Sequence, residues 1–167
     1  TGTHLYNIAP GAGFALHKFS DHTNQTISEW VSLPDHIAIR KAGNVTNSKN
    51  KKNAPSRVEM FQVTTADSIT MDGWLVKPDN FDSTKRYPVL FRVYTEPNNA
   101  LVKDAADVAY NRFYTGDPAA DGYIQIAVDG RGTPAPKGAA WRKAIYKKIG
   151  IINIHDQAMA AREIRKW

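Results

Sequence analysis

Apolar and polar positions alternate in short runs near the start of the chain. Phe14, Leu16 and Phe19 fall in one run, Ile27, Trp30 and Val31 in a second, and Ile37 and Ile39 in a third. The turn-rich stretches Ser20-Asp-His-Thr-Asn24 and Leu33-Pro-Asp35 separate them, so Gly13 to Ala42 is predicted as three short antiparallel strands. Strands at this spacing suit a sandwich, a barrel or a propeller blade, and three alone close none of these. Gly43 to Ser56 then carries four asparagines, three lysines (Lys49, Lys51 and Lys52) and a proline with almost nothing apolar, the composition of an exposed linker and a domain boundary. Period-two alternation returns in Val58 to Val63 and Ile69 to Val76 around a turn at Ala66-Asp-Ser68, a hairpin ending at Lys77-Pro78. Tyr87 to Tyr94 is a nearly unbroken apolar run, as in a strand buried on both faces of a parallel sheet, and Tyr123 to Val128 is a second. Between them Leu101, Ala105, Val108 and Ala109 lie near helical spacing, so the stretch Leu101 to Tyr114 is predicted as the helix of a strand, helix, strand unit with a right-handed connection. The second strand would then be an open hydrophobic edge of the sheet, and the three earlier strands would leave another, making the isolated chain prone to aggregate. Ala139 to Lys148 reads as a short basic helix with Trp141, Ala144 and Ile145 inward. A last helix follows, with Asn153 as its cap, Asp156 completing a capping box, and Ile154, Ala158, Ala161 and Ile164 inward.

With 167 residues, 42% of them hydrophobic, there is enough apolar material for one core of ordinary size. The absence of cysteine excludes disulfides and thiolate metal sites, and does not fix a compartment. No apolar run approaches the ~20 residues a membrane helix needs. Thr1-Gly-Thr-His4 carries no signal-peptide pattern and reads as a cut into a longer chain. The net charge of +6 raises nucleic acid as a partner, but no aromatic or arginine is interleaved with Lys49, Lys51 and Lys52 to stack on or read bases, so a solvated loop is the better reading.

In open sheets of parallel strands, ligands gather at the carboxyl ends of the strands, here Tyr94 to Asn99 and Asp129 to Gly138. The second loop, Asp129-Gly-Arg-Gly132 followed by Thr133-Pro-Ala-Pro136, is no phosphate loop, since it lacks the Gly-Lys-Ser/Thr ending. No dinucleotide fingerprint follows either strand, so no cofactor is expected. Asp129 and Arg131 could act as an acid and an anion clamp, but a structural pairing fits better: Asp129 holding backbone amides and Arg131 a neighbouring carboxylate. None of Ser20, Ser28, Ser32, Ser48, Ser56, Ser68 or Ser83 has glycines two residues to either side, so no nucleophile elbow is present. His4, His17, His22, His36 and His155 show no metal-ligand spacing along the chain, and no metal is expected.

Val58-Glu-Met-Phe, Met71-Asp-Gly-Trp-Leu-Val-Lys-Pro78, Tyr87-Pro-Val-Leu-Phe91, Val93-Tyr-Thr-Glu-Pro97, Asp129-Gly-Arg-Gly-Thr-Pro-Ala-Pro-Lys-Gly-Ala-Ala-Trp-Arg142 and Ile149-Gly150 through Asp156-Gln157 resemble the dipeptidyl peptidase IV branch of the prolyl oligopeptidase family of serine peptidases, in its bacterial form. The resemblance covers Val58 to Trp167 and is densest from Asp129 to Arg142. Residues 1 to 45 are similar, more loosely, to the end of the β-propeller that precedes the hydrolase domain in that family. It implies an α/β fold: the N-terminal half of an α/β-hydrolase sheet over 57–167, preceded by the last antiparallel strands of a β-propeller over 1–45 and a linker over 46–56. It also implies a parent exopeptidase that releases dipeptides from peptide N-termini after proline or alanine. A homodimeric, periplasmic or otherwise extracytoplasmic parent is compatible with it. The family's Gly-Trp-Ser-x-Gly-Gly elbow and its later acid and histidine have no counterpart here, which implies a chain inactive alone. One functional position carries over: Tyr94, the tyrosine of the Val-Tyr-x-x-Pro motif, as hydroxyl donor to the oxyanion. Residue 95 is threonine where the family has glycine or alanine, a departure that matters if that position needs a positive φ. Two other readings are a non-catalytic binding or scaffold module, and a different hydrolase such as an esterase or acylaminoacyl peptidase.

Overall fold

The structure, a computed structural model, describes residues 2–24, 26–42 and 57–167. The linker expected over 46–56, with its three lysines, lies outside the described residues. The chain divides into two compact units, Thr1–Ser56 with Lys103–Val108, and Arg57–Val102 with Ala109–Trp167. Strands dominate both, in two four-stranded sheets. No helix of the described residues is long and apolar enough to cross a membrane.

The first sheet is an antiparallel meander of β1 (Thr3–Ile8), β2 (Phe14–Ser20), β3 (Ile27–Ser32) and β4 (Ala38–Lys41), in that spatial order. It has one strand more than the alternation predicts. The residues of β1 are exposed throughout and mix polar with apolar side chains on both faces, so pairing with β2, not burial, makes it a strand. Asp21 turns the chain between β2 and β3, its Oδ1 accepting the N–H groups of Thr23 and Asn24 at 2.8 and 2.6 Å.

The second sheet contains β5 (Val58–Thr64), β6 (Thr70–Val76), β7 (Val89–Arg92) and β8 (Ile124–Asp129) in the order β5-β6-β8-β7. The β5–β6 hairpin and the β6–β8 pair are antiparallel, and β7 runs parallel to β8. This order corrects two expectations. The run from Tyr87 contributes only the short strand β7 at the sheet edge, with Val89 exposed, because Pro88 and the turn before Asn99 leave few residues able to pair. The strand expected at the open edge, β8, lies inside, paired on both sides, and is buried from Gln125 to Asp129.

Alternation along β6 and β8 sends side chains to two different layers. On one face Val63, Met71, Ile126 and Val128 meet Ala160 of α2 (Ile152–Ile164), with Phe61, Leu75, Phe91 and Trp141 packed around them. Phe61 lies across from Gly73, where an added Cβ would come within 2.3 Å of its ring, so only glycine fits this approach. On the other face Trp74, Gln125 and Asp129 hold the connection from β7 to β8. Trp74 Nε1 donates to the Leu101 carbonyl at 3.0 Å and Gln125 Nε2 to the Ala109 carbonyl at 2.7 Å. Asp129 accepts the N–H groups of Leu101 and Val102 at 2.9 and 3.0 Å.

That anchoring replaces the helix expected over Leu101 to Tyr114. Leu101, Ala105 and Val108 are buried, as their spacing implies, but the segment is a series of turns. Its backbone groups are taken by side chains of β6 and β8, and its aspartates, asparagine and valines are weak helix formers. The short helix α1 (Gly138–Lys143) ends earlier than expected, with Ile145 buried just beyond it.

In α2 the expected capping box is absent: Ile151 occupies the cap, and Asn153 and Asp156 are buried inside the helix. The helix face is rotated as well, since Ile154 is exposed and the buried positions are Asn153, Asp156, Gln157 and Ala160. Polar loops must be held at this end of the sheet, and the hydrogen bonds they offer outweigh burial of Ile154.

Candidate functional site

The carboxyl ends of β7 and β8 carry two loops, and the buried polar face of α2 ties them down. Asn153 Nδ2 donates to Thr95 Oγ1 at 3.0 Å and to the Thr95 carbonyl at 3.3 Å, while its Oδ1 accepts the Gly150 N–H at 2.7 Å. Gln157 Nε2 donates to the Val128 carbonyl at 2.9 Å. Asp156, 1% exposed, accepts the Arg131 N–H at 2.8 Å and takes its guanidinium at 2.6 Å from Nη2 and 3.0 Å from Nε. This charge-assisted pair raises the Arg131 pKa still further and fixes the turn after β8. Gly130 sits so close to Asp156 that an added Cβ would lie 3.1 Å from the aspartate Cβ, and Gly132 turns the chain with a φ of +96° against Ile145. Asp129 thus holds backbone amides and the Arg131 guanidinium a neighbouring carboxylate, as the structural reading of that motif expects.

Tyr94 lies just past β7, in the loop that Asn153 anchors through its neighbour Thr95. It is 37% exposed, and its hydroxyl reaches Asn98 Oδ1 at 3.1 Å within its own loop. A cavity of about 470 Å³ lies beside it, lined among others by Arg92, Asn99, Leu101, Asn111 and Phe113. Arg92 donates to the Tyr110 carbonyl at 2.8 Å, which holds one wall. Thr95 is not among the described residues with positive φ, so the departure at that position is accommodated, and its hydroxyl supplies a contact that glycine or alanine would lack.

No protein-family model matches the chain. A protein of Trichophyton verrucosum named "Probable dipeptidyl-aminopeptidase B" is 35% identical over 167 aligned residues, covering 93% of this chain and 17% of the relative. Venom dipeptidyl peptidase 4 of Vespa velutina is 28% identical over 99% of this chain and 19% of its own length. The crystal structure of Porphyromonas gingivalis dipeptidyl peptidase 4 superposes with a TM-score of 0.79 and 27% identity over 98% of this chain and 23% of that one. The chain is a homologue of dipeptidyl peptidase 4. It spans less than a fifth of the length of the two curated relatives. Its two strand-rich sheets match those of the solved peptidase.

Sequence reasoning placed Tyr94 at a strand end and overlooked the residues that position it. Asn153, Asp156 and Gln157 stand three and four residues apart, a polar stripe at helical spacing that ends in Ala160. Read as one helix face, that stripe is the signal of an inward polar surface. The histidines are distributed differently from their spacing in the chain. His155 pairs with Asp67 at 3.2 Å and His22 with Asp104 at 2.6 Å, while His4, His17 and His36 gather on the first sheet.

Proposed function

We propose that this chain comprises the end of a β-propeller and the N-terminal part of an α/β-hydrolase domain in a serine exopeptidase that releases N-terminal X-Pro or X-Ala dipeptides. In this reading residues 1–45 belong to the propeller, 46–56 link the two domains, 57–167 open the hydrolase sheet, and the Ser-Asp-His triad lies in sequence beyond this chain. Homology to dipeptidyl peptidases supports the reaction class. The observation that carries the site is Tyr94: an exposed tyrosine at the end of a strand paired in parallel with its neighbour, beside a cavity, in a loop anchored by the buried Asn153. Serine attack on the scissile carbonyl places negative charge on its oxygen, and a preorganised donor stabilises that charge more than it stabilises the bound substrate. Tyr94 would exchange its contacts with Asn98 Oδ1 and, at 3.5 Å, Glu96 Oε2 for a charge-assisted bond to the oxyanion.

The test uses the full-length parent and a dipeptide anilide. Tyr94→Phe should lower kcat and kcat/KM together by about 10²–10³-fold, the scale of one oxyanion donor, with the melting temperature unchanged. Asn153→Ala should also lower kcat, and in the Tyr94→Phe background should add little, since it acts by positioning that hydroxyl. Unchanged kcat in a stable Tyr94→Phe protein would overturn the assignment. The 167-residue chain assayed alone should give no turnover sensitive to a fluorophosphonate.

A further inference from the structure

The first sheet concentrates five ring or carboxylate side chains around one point. Cross-strand pairing puts Tyr6, His17 and Glu29 in one row over β1, β2 and β3, with His4 diagonal to His17 on the same face. His36 folds in from the β3–β4 turn, where its φ of +52° is one that few residues other than glycine and asparagine adopt readily. His17 is 4% exposed in the middle of the sheet, where an apolar side chain would satisfy packing alone.

We propose that His17, Glu29 and His36 form a binding site for one divalent cation of the zinc type. One ligand atom from each, a ring nitrogen or a carboxylate oxygen, lies within 4.8 Å of the other two. The His17 Nδ1 to Glu29 Oε1 distance is 2.9 Å, and the His36 Nε2 to Glu29 Oε1 distance is 3.9 Å. Two ligands each about 2.1 Å from a tetrahedral zinc stand about 3.4 Å apart, so these distances bracket the required one. The closing movement falls on His36, whose side chain is 39% exposed.

The outer hydrogen bonds agree with this use of each ring. Metal on His17 Nδ1 leaves Nε2 to carry the proton, and Nε2 lies 2.9 Å from His4 Nδ1, an acceptor in one neutral tautomer of His4. Metal on His36 Nε2 leaves Nδ1–H, which lies 3.1 Å from the Tyr6 hydroxyl oxygen. Each metal-binding ring therefore has a partner that fixes its tautomer and orientation, the usual companion of a histidine ligand. Two imidazoles and one carboxylate select a borderline metal such as zinc over calcium or magnesium, which want oxygen alone. The exposed side of His36 leaves the fourth position to water. Binding releases any proton held between His17 and Glu29 to solvent.

The experiment is a zinc titration of the metal-stripped chain against a competing chromogenic chelator, with circular dichroism to confirm folding. One zinc per chain should bind saturably. His36→Asn keeps a residue suited to the left-handed turn and removes the imidazole, and Glu29→Gln removes the carboxylate at nearly constant shape. Each should weaken zinc by more than about 100-fold, whereas Tyr6→Phe, which loses only an outer partner, should weaken it by about 10-fold. His155→Gln, in the other unit, should change nothing. Absence of saturable binding, or zinc affinity unchanged in folded His36→Asn and Glu29→Gln proteins, would overturn the proposal and leave the cluster as a set of stacked rings.

Discussion

The two sheets are built on opposite principles. On its strands the first buries only Ala15 and Val31 among hydrophobic residues, with His17 and Ser28 beside them, and leaves Leu5, Ile8 and Phe14 exposed. The second buries Val63, Met71, Trp74, Ile126 and Val128, and covers one face with α2 and the other with a loop held by side-chain hydrogen bonds. Apolar burial at about 25 cal/mol per Å² makes the second unit the seat of stability. In the first, ring stacking and polar contacts hold the strands: His17 packs against Tyr6 at 4.7 Å and against His36 at 4.6 Å between ring centroids. Where a core is thin, polar and aromatic residues take up positions that hydrophobic ones hold elsewhere, and such residues are the ones able to bind something.

The sharpest way to break this comparison is to empty each core. Trp74→Ala removes the largest fully buried side chain and a hydrogen bond to the Leu101 carbonyl, and should cost about 3–5 kcal/mol in urea unfolding. Val31→Ala should cost less, about 2 kcal/mol. Equal losses would mean that the first sheet carries a core comparable to the second. Next in size is the polar anchor of the second unit. Asp156→Ala strands the Arg131 guanidinium beside a buried cavity and should cost about 3 kcal/mol, with loss of protection of the Arg131 amide in hydrogen exchange as the local readout. Retention of that protection would show that the loop holds itself without α2.

The smallest expected effect concerns acid stability of the first unit. The hydrogen bond from the His22 side chain holds the Asp104 carboxyl below the usual carboxylate range, against the opposing effect of partial burial. A folded pKa below the unfolded one means that the unfolded chain takes up the proton first. The contribution is therefore present above about pH 4 and is lost as pH falls through the lowered folded value. Subtracting the unfolding profile of Asp104→Asn from that of the parent chain should show this acid limb, and a flat difference would refute it.

The hairpin β5–β6 and strands β2 to β4 were legible because each pairing joins neighbours across a short turn, so the local alternation of side chains carries the whole signal. The loop after β8 was legible for a similar reason. Asp129 and Arg131 sit among glycines and prolines that permit little besides a turn, and their charges need partners that backbone amides and a carboxylate provide. Tyr94 could be placed at a strand end, but its surroundings could not, since Asn153 lies far along the chain and meets it only through Thr95.

By itself, then, the sequence determined where most of the short strands run, that the β5–β6 hairpin turns at Ala66 to Ser68, and which family its motifs resemble. The tertiary structure decided the rest. It set β8 between β6 and β7, turned the inner face of α2 to Asn153, Asp156 and Gln157, and replaced a helix over Leu101 to Tyr114 with turns hung on Trp74, Gln125 and Asp129. It also drew His17, Glu29 and His36 to one point. Each of these joins residues far apart in the chain, and hydrogen bonding and packing at a distance have no local pattern to announce them. A helical spacing of apolar residues states only which side chains want burial; the partners available in the folded molecule determine what backbone carries them there.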